Sequence, residues 1–175
     1  MISELQLDRA FADHLASSEE FRGWVLAKTK FKRYADLARL LDREQITAKP
    51  RKKPENWWRH WWCKLEDGSE SETDIFATFQ LQGTDLRFAL HIEDKPPHGQ
   101  FTKDQYLNYK RRAACMARQP KYMDYSDFAT LLLAPSSFIS AHTSEVSHFD
   151  NTITYESIAA FIHLFGDSIS AAASA

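Results

Sequence analysis

Two runs of alternating residues, separated by four turn-forming residues, fix the centre of this chain. In the stretch from Thr73 to Leu81 the apolar residues Ile75, Ala77, Phe79 and Leu81 recur at every second position, with Asp74 on the other side. A second run, Phe88 to Ile92, ends in Glu93-Asp94-Lys95. Period two is the signature of extended chain, in which successive side chains leave on opposite faces. The connection Gln82-Gly83-Thr84-Asp85 then joins the runs as an antiparallel hairpin. In that hairpin Asp74, at the start of one strand, meets Glu93 at the end of the other. Glu93 and Lys95 share a face with His91 and Ala89, while Phe88, Leu90 and Ile92 point to a core.

Two carboxylates and a lysine gathered at strand ends can hold a hard divalent cation and a water beside it, which points to metal-dependent phosphodiester cleavage. A Glu-x-Lys triplet at a strand end is also how an exposed edge avoids association. Of all the lysines in the chain, only Lys95 has an acid two residues before it, and it falls where an alternating strand ends opposite Asp74.

These residues carry a resemblance. Glu72-Thr73-Asp74-Ile75, then Ala89-Leu90-His91-Ile92-Glu93-Asp94-Lys95, then Phe101-Thr102-Lys103-Asp104-Gln105 with Tyr109 and Arg112, resemble the ordered motifs of the PD-(D/E)XK nuclease superfamily, closest to its small bacterial members. The likeness covers roughly residues 58 to 162, since Leu131-Leu132-Leu133-Ala134-Pro135 and Ile153-Thr154-Tyr155-Glu156 resemble the family's later strand and final helix. It implies that Asp74 and Glu93 ligate Mg2+, with Mn2+ as substitute, together with the backbone carbonyl of Asp94. It implies that Lys95 positions and polarises the attacking water, and that Gln105 matches a glutamine on the following helix. Relatives often add an acid from a helix ahead of the sheet, for which Glu20 is the candidate; as a cap of its own helix it would have a simpler role. Many relatives carry a neutral residue where Asp94 stands, and Asp94 should point to the opposite face. Some carry Arg one residue before the helix tyrosine, where this chain has Asn108; Arg111 or Arg112 is the replacement.

Composition sets limits on function. The 175 residues suffice for one domain, with no internal repeat and no run near the ~20 apolar residues of a membrane span. The N-terminal residues carry acids and no basic, apolar signal, so a cytoplasmic location is expected. A net charge of -2 excludes a general cation sponge for nucleic acid, but basic residues cluster at Lys28-Lys30-Lys32-Arg33, at Lys49-Arg51-Lys52-Lys53 and at Lys110-Arg111-Arg112. Such stripes are either solvated faces or local phosphate contacts. Cys63 and Cys115 lie far apart in sequence and read as reduced, mostly buried thiols. The seven histidines show no i,i+4 pair and no His-x-His, so zinc is not expected.

Along the chain, helices are expected over residues 3 to 16 and 18 to 28, the second opened by a capping box of Ser17 and Glu20. A third should run from Tyr34 to Glu44, followed by a basic, proline-bearing linker from Ala48 to Asn56. Trp57, Trp58, Trp61 and Trp62 crowd the entry to a strand ending at Glu66. They are either core or a platform for unpaired bases, with Arg59 and Lys64 taking phosphate. A helix opened by Thr102 and Gln105 should reach Arg118 and present Gln105, Tyr109 and Arg112 on one face. Phe128 to Ala134 reads as a buried strand parallel to the Glu93 strand, and Tyr155 to Ile169 as a terminal helix.

The expectation is one α/β domain: N-terminal helices over 1–45, a restriction-endonuclease-like core over 57–165 with a mixed sheet of four to five strands flanked by helices, and a flexible tail over 170–175. Asp74, Glu93, Lys95 and Gln105 are its candidate catalytic residues, and Tyr109, Lys110, Arg111 and Arg112 its candidate nucleic-acid contacts. DNA stands ahead of RNA as substrate by family analogy. A non-cleaving module that binds nucleic acid or protein, a homodimer, or a subunit of a defence or restriction assembly are the alternatives.

Overall fold

The computed structural model describes residues 2–102 and 104–174. In chain order its strands are β1 (Ala38–Leu40), β2 (Trp61–Lys64), β3 (Glu70–Thr73), β4 (Ile75–Leu81), β5 (Arg87–Asp94), β6 (Asp127–Ala134) and β7 (Asn151–Thr154). The helices are α1 (Glu4–Ser17), α2 (Glu19–Ala27), α3 (Asp42–Ala48), α4 (Gln105–Met116), α5 (Ser136–Ala141), α6 (Thr143–Val146), α7 (Tyr155–Ile158) and α8 (His163–Ala173). A five-stranded mixed sheet runs in the order β1-β4-β5-β6-β7, with β2 and β3 forming a separate pair. The architecture is α/β, with helices on both faces.

The expected hairpin is β4 and β5, antiparallel with Ile75 opposite Ile92. After β5 the chain crosses through α4 and returns as β6, parallel to β5, and β7 is parallel to β6. Strands β5 and β6 lie inside the sheet and are covered on both faces, which is why β6 is continuously apolar. One face packs Ile75, Ala77, Phe79, Leu90 and Ile92 against α1, α2 and α8. The other, which bears His91 and Ala89, is not given over to chemistry: it forms a second core with Trp61, Phe76, Met116 and Tyr125.

The departures from expectation have physical causes. Ser17 ends α1, and the cap of α2 is Ser18, whose hydroxyl accepts from the Phe21 N–H; the reciprocal capping box is Ser3 with Gln6, one helix earlier. Helical spacing from Tyr34 to Glu44 is overridden by edge pairing: Leu40 sits opposite Phe79, so residues 38–40 are strand and the helix begins only at Asp42. The long run from Thr73 to Leu81 breaks at Asp74, because Thr73 pairs with β2 and Ile75 with β5. The terminal helix divides into α7 and α8, and α8 continues to Ala173, so most of the expected tail is helical; Ala175 lies outside the described residues. Within the 49–56 linker, Lys49 is anchored by the Arg59 and His60 carbonyls at 3.0 and 2.5 Å.

Three of the four crowded indoles are core: Trp57, Trp58 and Trp61 are buried, while Trp62 is 51% exposed. Each buried indole removes on the order of 200 Å² from water, about 5 kcal/mol before entropy is counted, which outweighs a surface role. Cys63 and Cys115, distant in sequence, lie near each other between β2 and α4 as free thiols, and the Cys115 thiol donates to the Lys64 carbonyl at 3.7 Å.

A single buried glutamine ties the N-terminal part to the sheet. Gln45 of α3 donates to the carbonyls of Trp57 and Phe76 at 3.3 and 3.0 Å, and accepts from the Thr78 N–H and hydroxyl, both at 2.9 Å. Gln45→Leu keeps the volume and strands the Phe76 carbonyl and both Thr78 groups, while the Trp57 carbonyl keeps the Trp61 indole N–H at 2.7 Å, so it should destabilise the fold by about 3 kcal/mol. Urea titration of both proteins measures this, and a loss below about 0.5 kcal/mol would show that the network carries no net stability.

Candidate active site

The site forms where the chain changes sheets. At Asp74 the backbone passes from its pairing with β2 to its pairing with β5, and its N–H turns to the Tyr109 hydroxyl at 3.5 Å. Its carboxylate Oδ2 accepts the backbone N–H of Asp94 at 3.0 Å. A strand residue sends its N–H and C=O to the same edge, so the Asp94 carbonyl also leaves on the Asp74 side. Two carboxylates and a carbonyl are thereby directed at one corner of the sheet.

Glu93 is fully buried and tied at both oxygens. Oε1 accepts from Lys95 Nζ at 2.5 Å and from Gln105 Nε2 at 2.6 Å, and Oε2 accepts from the Tyr109 hydroxyl. Gln105 is itself held by Thr102, whose N–H and hydroxyl donate to its Oε1 at 3.1 and 3.3 Å. Gln105 therefore restrains Glu93 while Thr102 holds it, but the expected capping box does not form: the N-cap of α4 is Asp104, which makes no side-chain cap. Tyr109 likewise packs in the core, against Phe149, while its hydroxyl reaches the site.

The lysine is positioned by the turn that follows it. Pro96 and Pro97 stop the strand, and the Gly99 N–H closes a tight turn onto the Pro96 carbonyl at 2.7 Å. A Cβ at Gly99 would lie 3.0 Å from that carbonyl oxygen and 3.4 Å from Lys95 Cδ, so this position favours glycine. The turn presses the Lys95 stem in place and aims its ammonium at Glu93.

Charge in the cluster is unbalanced. Glu93, Asp74 and Glu4 act on one ammonium, that of Lys95, while Asp8 and Asp94 add to the repulsion from the opposite face. Burial, followed by the Asp74 carboxylate, pushes Glu93 well above the usual carboxylate range against the pull of Lys95. Burial pushes Lys95 down, but Glu93, Asp74 and Glu4 more than reverse this and hold it charged. The two tendencies conflict for an isolated pair. With three carboxyls acting on one ammonium, the lysine stays charged and the buried Glu93 is driven toward its protonated form.

The helix acids come from α1. Glu4 faces Asp74 and Lys95, and burial followed by Asp74 raises its pKa. Asp8, one turn on, is 6% exposed and lies beside Asp94 on the far face of the sheet. Asp94 Oδ1 accepts from the Tyr155 hydroxyl at 2.5 Å, while Asp94 Oδ2 and Asp8 Oδ1 have no donor among the described residues. One proton shared between them would satisfy both, and would give the Asp94 carboxyl the role that resemblance left open. Glu20 is not brought to this cluster; it is exposed on α2 and lines a separate cavity with Asp36 and Arg39. Sequence reading missed Glu4 and Asp8, although Asp8 interrupts the stripe Glu4, Asp8, Ala12 and Leu15 that α1 turns inward.

The expected nucleic-acid contacts divide. Tyr109 and Arg112 are buried and offer no surface to a polymer. Arg112 stacks over the Tyr109 ring at 3.9 Å and donates to the Ser71 hydroxyl and Glu72 carbonyl at 2.6 and 2.5 Å, pinning β3 to α4. Lys110 and Arg111 are exposed and pair with Asp150 and Asp67 at 2.9 and 2.8 Å. Such surface pairs are weak and can exchange their carboxylates for phosphates.

The donor set fits a hard cation: two carboxylates, one backbone carbonyl and a third acid on α1, all oxygen, with no thiol or imidazole among them. Among the described residues, no three His, Cys, Asp or Glu side chains stand together as a ready-made cage. Also among the described residues, no helix is long and apolar enough to cross a membrane. No family model, curated protein or solved structure matches this chain.

Proposed function

We propose that this chain is a Mg2+- or Mn2+-dependent nuclease of the PD-(D/E)XK type, with a restriction-endonuclease-like core and DNA as substrate. One observation carries the reading: the Lys95 ammonium lies 2.5 Å from the buried Glu93 carboxylate, next to Asp74 at a strand break. A lysine held by buried acids at a sheet corner is a costly arrangement for structure alone.

Asp74, Glu93 and the Asp94 carbonyl would hold the cation, with Glu4 completing the set from α1. When bound, the metal would lower the pKa of its water and offset charge on the phosphate. Lys95 would orient the attacking water and offset the negative charge that builds on the phosphoryl oxygens. Gln105 and Tyr109 fix the Glu93 carboxylate, so little reorganisation is required as charge develops. The Lys110 and Arg111 side chains at the rim receive flanking phosphates.

The test is purified protein with Mg2+ or Mn2+ on single- and double-stranded DNA and RNA. Cleavage should disappear in Asp74→Asn and fall at least about 100-fold in Glu4→Gln, with Glu20→Gln unchanged. Inactivity of the wild type on all four polymers would overturn the nuclease reading, and retained binding would then favour a non-cleaving module. Loss in Glu20→Gln with none in Glu4→Gln would reassign the helix acid.

A further inference from the structure

We infer that the cavity beside Glu4 is a slot for an unpaired nucleobase flanking the cleaved phosphodiester, which makes single-stranded or frayed DNA the substrate class. The inference rests on the proposed nuclease reading and identifies which form of nucleic acid that site accepts.

The cavity, about 510 Å³, lies between the start of α1, the turn after Lys95 and the last turns of α8. Its walls are Ile2, Pro96, Pro97, Ala171 and Ala172, and Glu4 stands at its edge. Glu4 lines the cavity, and so does the turn from Pro96 to Gly99 that directly follows Lys95, where a Cβ at Gly99 would lie 3.4 Å from Lys95 Cδ, so the cavity borders the carboxylate cluster. A phosphodiester held over the cluster therefore delivers its attached nucleoside here.

Charge selects which part of the nucleotide enters. Among the described lining residues the carboxylate is that of Glu4, and these include no lysine or arginine. A phosphate would be repelled, whereas a flat, neutral ring loses little by leaving water for proline rings and alanine methyls. Ser168, 6% exposed, and His98 supply polar groups for a base edge. The small side chains of Gly99, Ala171 and Ala172 leave room for a ring instead of closing the gap. A base stacked inside a duplex cannot enter without unpairing, so strands already open are preferred.

The test uses short single-stranded DNA oligonucleotides in which one base at a time is replaced by an abasic site, with Ca2+ as the cation. Wild-type affinity should drop about tenfold when one particular base is missing, in keeping with the loss of one stacked base. Ala172→Trp, which fills the slot, should bind intact strands about tenfold more weakly and be indifferent to that abasic site. Ala173→Trp, exposed and outside the cavity, controls for the added ring and should behave as wild type. If no base matters, or if Ala172→Trp keeps the wild-type pattern, the slot is overturned. Equal cleavage of intact and abasic strands would overturn the slot while leaving the nuclease reading in place. Base-dependent binding without cleavage in Mg2+ would support the slot and remove the nuclease reading. Failure of every oligonucleotide to bind would remove both.

Discussion

Lys95→Met is expected to lower phosphodiester hydrolysis by about 10³-fold while leaving fold and metal affinity nearly unchanged. The magnitude follows from removing one preorganised charge aimed at a developing oxyanion. Methionine keeps the length of the stem that packs against Gly99, so the turn after β5 should survive. Glu93 loses its only cation, but burial and Asp74 already hold it toward the protonated form, so little stability should depend on the pair. Because the lysine is not a ligand, calorimetric titration with Mn2+ should give an affinity within a few-fold of wild type. Lys95→Arg retains charge on a wider, planar group and should recover only part of the rate. Wild-type turnover in Lys95→Met would exclude this lysine from the chemistry.

What the sequence made legible follows from the range of each interaction. The β4–β5 hairpin is set by period-two alternation and a four-residue connection, so the approach of Asp74 to Glu93 could be read directly. Lys95 and Gln105 were legible for the same reason, since each lies within one element of Glu93. Asp8 was not, because an acid on an amphipathic helix reads as solvated unless its stripe is known to be buried; only docking of α1 against β5 and α8 makes it so. Glu20 was misassigned by treating any acid on an early helix as equivalent, although α2 faces a different end of the sheet. Residues 38–40 were misread because a three-residue edge strand gains its stability from β4, not from local pattern. Tyr109 and Arg112 were correctly placed on one helical face. Whether that face meets solvent or β3 is a tertiary fact.

A proton shared by Asp8 and Asp94 would have a thermodynamic consequence independent of catalysis. Both carboxyls are pushed up, Asp8 by burial and then Asp94, Asp94 by burial against the Tyr155 hydrogen bond. In the unfolded chain each ionises near pH 4. Above that pH the native state binds more protons than the unfolded state, so stability is greatest at the acid end and falls as pH rises toward the raised native values. One retained proton gives a slope of about 1.4 kcal/mol per pH unit, or about 4 kcal/mol between pH 5 and pH 8. Glu93 adds to the slope in the same direction. Asp8→Asn places an amide donor opposite Asp94 Oδ2 and replaces the shared proton with a permanent hydrogen bond. The variant should match wild type near pH 5, exceed it by several degrees in Tm at pH 8, and lose one proton's share of the slope. Added Mg2+ should flatten only the part belonging to Glu93, so in wild type a residual slope persists that Asp8→Asn lacks. Urea denaturation from pH 5 to pH 8 in both proteins, with and without Mg2+, measures each contribution. A slope unaltered by the substitution would mean that Asp8 and Asp94 hold no common proton.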